Sequence, residues 1–233
     1  MLKYLLFLLT AACIISCGKP TQTSTIKVVG KMSEVMWQGE LDGKISTDSI
    51  NSPTSYGLGP SAYLKGELLV VEGKTFESKV IDSLSHEVSD VAASQAPFFV
   101  YTTSSELVPV PLASGAIDFK SLERQIDSLY STYDYPLLVR IDGLFGQLTV
   151  HSVNLPEGTT VSSPDQAHQG LVSFHYKDIK GTLIGFFSRH HKSIFTHHDT
   201  FFHAHFISED RRVLGHVEQL QMSTLSTQLK VSK

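Results

Sequence analysis

From Ile26 onward the spacing of apolar and polar positions is that of strands joined by polar turns. Ile26-Lys27-Val28-Val29-Gly30 opens the pattern, and residues 41–44 and 51–59 carry turn chemistry. The run Gly66-Glu67-Leu68-Leu69-Val70-Val71 predicts a buried strand that closes on a Glu72-Gly73 turn. Phe98-Phe99-Val100-Tyr101 predicts another. The clearest helix starts at Asp118, a plausible N-cap, with Phe119, Leu122, Ile126, Leu129 and Tyr130 on one face. Tyr135-Pro136 ends it. A strand at 137–141 then meets Asp142-Gly143, read as a turn, so that 147–153 becomes its hairpin partner. Residues 163–171 predict a short second helix with Pro164 in its first turn. Residues 181–187 form a buried strand, and 201–208 and 214–222 an antiparallel pair turned at Glu209-Asp210-Arg211-Arg212. The expected class is α+β: β-rich, two packed mixed sheets and a few helices. Residues 26–135 form its N-terminal part and 136–233 its C-terminal part.

The first residues read differently. Met1 and Lys3 precede an apolar stretch, from Leu5 to Ile15, too short to span a bilayer permanently. It ends in Ile14-Ile15-Ser16-Cys17-Gly18, which resembles a bacterial lipoprotein cleavage site. Residues 1–17 are therefore expected to be a lipoprotein signal peptide and 18–25 a flexible tether. Cys17 would carry lipid, anchoring an exported protein to a bacterial cell membrane. The remaining cysteine, Cys13, lies inside the leader, so the mature chain would have neither a disulfide nor a thiolate ligand. The formal net charge of -4 and pI near 6.2, without a basic run in the body of the chain, argue against nucleic acid as a partner.

Histidine usage changes the picture. The chain has 11 His, of which seven lie between His190 and His216. On a strand His203 and His205 share a face, and a turn at Asp210 returns His216 beside them. Three neutral imidazoles around zinc leave a coordination position open, as catalytic sites do. On spacing alone, this reading and one of hydrogen-bonded core histidines stand level. His203-x-His205 with Glu209 also fits half of a cupin motif, but no Pro-x-Gly segment precedes His216. His190, His191, His197 and His198 lie in a polar loop and read as exposed or pocket-rim residues.

Several blocks in order resemble the α-acetolactate decarboxylase family. They are the run from Gly57 to Lys74, Pro97-Phe98-Phe99, Val139-Arg140-Ile141-Asp142-Gly143-Leu144-Phe145, Gly181 to Phe187, Phe202 to Arg212, and Gly215-His216-Val217. The resemblance implies a zinc lyase, with a 2-hydroxy-3-keto acid as small-molecule partner, that converts 2-acetolactate to acetoin and CO2. It carries the metal role onto His203, His205 and His216, a pocket arginine onto Arg140 and an N-terminal glutamate onto Glu67. A homodimer is a compatible assembly. Three positions depart from the pattern. Pro60 stands where the family has threonine, His151-Ser152-Val153 where it has Arg-Thr-Val, and no glutamate from a longer C-terminal segment is available to fold over the metal. Leu214 also replaces a common glycine. The alternative expectation is a non-catalytic metal- or ligand-binding lipoprotein that keeps the three-histidine cradle.

Overall fold

A computed structural model describes residues 26–103 and 105–232 of the chain. The expected leader, Cys17 and the tether lie outside them. The first half holds strands β1 (Lys27–Val29), β2 (Ile45–Ser46), β3 (Tyr56–Pro60), β4 (Glu67–Val71), β5 (Lys74–Asp82), β6 (Ser85–Val91), β7 (Gln95–Ala96) and β8 (Phe99–Thr102), with helix α1 (Met32–Gln38) between the first two. Strands β9 (Leu107–Val110) and β10 (Ala116–Asp118) lead into helix α2 (Phe119–Leu129). Then follow β11 (Leu137–Ser152), the short helix α3 (Pro164–Ala167), β12 (Val172–Phe187), β13 (Phe202–Ser208) and β14 (Leu214–Ser232).

Two six-stranded sheets result, the first in the order β1-β8-β3-β4-β5-β6. In the second, β14 runs between β11 and β13 while β11–β12–β13 pair in turn, which closes a ring of four strands. Every pairing between named strands is antiparallel, where mixed sheets were expected. The packed sheets of the sequence reading are present.

The apolar run of β4 follows from burial on both faces. Leu69 and Val71 pack with Leu138, Ile184, Phe186 and Ile207 of the second sheet. Leu68 and Val70 pack with Ile50 and Phe99 on the other side. A third layer of contacts lies inside the ring, where Phe145, Leu148, Leu183, Phe202 and Phe206 meet Leu122 and Ile126 of α2. Asp118 caps α2 as the sequence predicted, accepting from Ser121 N–H.

Two turn assignments differ. Asp142-Gly143 is not a hairpin turn, because β11 continues through it to Ser152. A Cβ on Gly143 would collide with the Ser226 carbonyl, so its glycine permits close approach of β14 rather than chain reversal. Gly57 and Gly59 likewise lie within β3, bare against the Phe99 ring. The Glu72-Gly73 turn is observed, both residues at positive φ (52° and 78°), as a two-residue hairpin loop requires.

Candidate metal centre

The seven residues of β13 are all buried. Phe202, Ala204 and Phe206 fill the ring core, so alternation turns His203 and His205 toward the first sheet. Imidazoles in such a place need polar partners. The Nδ1–H of His203 donates to the Phe195 carbonyl at 2.6 Å, and that of His205 to the Leu68 carbonyl at 2.9 Å. A carbonyl only accepts, which fixes the proton on Nδ1 and leaves each Nε2 with a free lone pair. His216, on β14, stands directly opposite His205 in the ladder.

One nitrogen from each ring lies within 4.8 Å of the others. Burial, the leading cause in each case, pushes His205 down to about 3 and His203 and His216 well below the ordinary histidine value. Uncharged rings are the form that ligates metal. Among the described residues the buried Nε2 of His205 has no hydrogen-bond partner. An orphaned buried acceptor costs about 1–3 kcal/mol, and a cation held by the three rings would satisfy it. The donor set therefore fits a metal ion. The loop supplying the Phe195 carbonyl is tied down by Arg189, which donates to the carbonyls of Asp127 in the last turn of α2 and of Tyr130 and Tyr133 just after it.

Glu67, the first residue of β4, is buried, with Oε2 3.5 Å from the Nε2 of His205. Burial raises this carboxyl well above its usual value, while Val153 N–H, 3.3 Å from Oε1, works against that. Burial disfavours charge on both partners of this contact. Pro60 is its direct cross-strand neighbour.

Beyond His216 an open cleft of about 1060 Å³ is lined by His151, His168, His197 and Glu218 among others. The His151 ring stacks on that of His216, centroids 4.5 Å apart, and its Nδ1 is 3.0 Å from Glu218 Oε1. His197 sits 5.1 Å from His216, ring to ring, a rim position as the sequence suggested. His191 instead faces Ser188 Oγ, at 2.7 Å from its Nδ1. The His151–Glu218 pair was not singled out from the sequence as part of the site. The available signal was strand periodicity, which puts Glu218 on the face of His216.

Arg140 is not gathered with these groups. It lies two strands from His205, across Ile184, a span of roughly 10 Å at ordinary strand spacing. Its guanidinium is engaged by Glu72 at 2.5 Å, Asp142 at 2.9 Å and the Tyr56 hydroxyl at 3.3 Å. Arg140→Ala is expected to lower unfolding free energy by about 1–3 kcal/mol, since charged hydrogen bonds are lost from a half-buried network. Metal binding should be unchanged. Denaturant melts and metal analysis read both.

Two packed antiparallel sheets, with three neutral imidazoles converging beside an open cleft, define a β-fold protein with a site able to hold a metal ion. The chain belongs to the alpha-acetolactate decarboxylase family, whose pattern it matches over residues 28–233. It is 24% identical over 196 residues to the alpha-acetolactate decarboxylase of Brevibacillus brevis, covering 82% of this chain and 65% of that one. To the Bacillus subtilis enzyme of the same name it is 25% identical over 205 residues, covering 88% and 77%. The chain spans only 65% and 62% of the first two curated relatives, from Brevibacillus brevis and Methanosarcina mazei. A crystal structure of acetolactate decarboxylase from Bacillus subtilis superposes with a TM-score of 0.74 at 23% identity, over 90% of this chain and 86% of that one. A Staphylococcus aureus protein of unknown function, described as similar to alpha-acetolactate decarboxylase, gives 0.71 at 18%, over 89% and 85%. At such identities the structural likeness establishes the shared fold.

Proposed function

We propose that this protein decarboxylates 2-acetolactate, or a similar 2-hydroxy-3-keto acid, to acetoin and CO2 with zinc in the three-histidine cradle. The observation that carries this reading is the buried, neutral trio His203, His205 and His216, in a chain of this family, beside a cleft wide enough for a small acid. Three nitrogen ligands suit zinc and leave room for a reactant. Bound there, the ion supplies Lewis-acid stabilisation of the negative charge left on the substrate's oxygens as CO2 departs.

The protein's own groups handle the rest. The backbone carbonyls of Phe195 and Leu68 hold two imidazoles at fixed angles, so the site is set before substrate arrives. As the bond to the carboxylate breaks, its electrons stay on the substrate, and a proton must take the vacated place on carbon. Glu67 Oε2 stands beside His205, positioned to carry that proton. The substrate-gripping role of Arg140 rests on sequence resemblance alone, whereas its neighbours support a structural one. Export and anchoring through Cys17 belong to the same proposal and rest on the leader-like sequence.

The test is incubation of the purified protein with racemic acetolactate after chelation, with and without added zinc, followed by acetoin detection. Acetoin above the spontaneous background only with metal is the expected result. No excess acetoin from zinc-loaded protein would overturn the assignment. It would favour the second reading, a binding protein without catalysis. One observation bears on that reading: residues 227–231 pair along β11, Val231 opposite Val139, rather than lying over the three imidazoles.

A further inference from the structure

The loop of residues 188–201 joins β12 to β13 and serves two places at once. It brings the Phe195 carbonyl to the His203 ring, and it lines the cleft with His197, Asp199 and Thr200. Helix α2 holds it at both ends. At its start, Arg189 Nη1 donates to the Tyr130 and Tyr133 carbonyls at 3.2 and 3.1 Å, and Nη2 to that of Asp127 at 2.7 Å. The Asp127 carboxylate lies 2.7 Å from Nε, an ion pair rather than an aligned hydrogen bond. At its far end, Phe201 N–H donates to Glu123 Oε2 at 3.2 Å. The middle is held by the buried Phe195 ring and by α1, whose Met32 and Ser33 N–H groups donate to the Ile194 and Ser193 carbonyls at 2.7 and 2.9 Å. A helix leaves its last carbonyls without intrahelical partners, and that end carries partial negative charge. Helix α2 has no basic residue in its own last turn, so the loop supplies one. One planar fork engages three carbonyls and a carboxylate together, which a lysine ammonium cannot match.

We infer that Arg189 is a positioning residue for the metal centre. By latching the loop to the end of α2 it sets the place of the Phe195 carbonyl, and through that carbonyl the aim of the His203 ring. The inference rests on the three-histidine cradle of the proposed function, and not on turnover. Outer partners of a ligating histidine are worth about 10–100-fold in metal affinity. Arg189 acts one step further out, and the buried Phe195 ring still holds the middle of the loop without it. Its share therefore falls at the low end of that range.

The experiment measures the zinc Kd by chelator competition in folded wild type, Arg189→Ala and Arg189→Lys. Arg189→Ala is expected to raise Kd about tenfold, with Arg189→Lys between it and wild type. Arg140→Ala, which breaks a charged network remote from the cradle, serves as the control for lost stability and should leave Kd unchanged. In a His203→Ala background Arg189→Ala should cost nothing further, the mark of an effect carried by that ring. A metal-free arm follows amide hydrogen exchange. Exchange at residues 193–196 should speed up at least about tenfold in Arg189→Ala while β13 keeps its protection. A wild-type Kd in Arg189→Ala, the same loss in the His203→Ala background, or unchanged exchange in the loop would each overturn the inference and leave the cradle standing. Wild type that binds no zinc would instead bring down the cradle reading, and the inference with it.

Discussion

Replacing His205 with alanine is expected to weaken zinc binding by more than about 100-fold, because losing even an outer partner of a ligating histidine costs about 10–100-fold. His205 is the most deeply placed of the three rings, and its Nε2 is the buried atom left without a partner. Its loss removes one of three ligands, and the remaining pair cannot enclose the ion. Competition with a fluorescent chelator measures the affinity, and thermal melting of the metal-free variant confirms that it folds. Wild-type affinity in a folded His205→Ala protein would remove this residue from the ligand set, and with it the basis for a catalytic metal here.

The second large effect concerns the buried carboxyl. Glu67→Gln keeps the size of the side chain and an oxygen for Val153 N–H, but takes away the group that can carry a proton. Turnover is expected to fall about 10²–10⁴-fold, the range for a positioned acid or base, with metal content unchanged. A loss confined to kcat places the effect on the chemical step. Undiminished kcat would make Glu67 a structural partner of Val153 instead.

Much of the site could be read from the sequence because strand periodicity is strict. Two histidines two apart, a polar turn and a third histidine place all three rings on one face whatever the rest of the fold does. Glu67 is different. Its nearness to His205 depends on how the first sheet lies on the second, which no local pattern encodes, and only the resemblance pointed to it. Arg140 shows the reverse case: the motif is present, but the side chain pairs with Asp142 on its own strand and with Glu72 and Tyr56, which are distant in sequence. The misread turn at Asp142-Gly143 has a similar cause. Glycine serves both reversal and close approach, and only the neighbouring strand decides between them. Helix α1 was missed, and the second helix is α3, only four residues of the predicted 163–171.

One consequence follows from the Leu68 carbonyl that steers His205. Its strand belongs to the layer opposite the ligands, so filling the cradle clasps the two layers together. Ion occupancy and heat resistance then rise in step, with about 4.1 kcal/mol gained at a free ion concentration a thousand times the dissociation constant. A chelator would act on the metal-loaded protein as a mild denaturant.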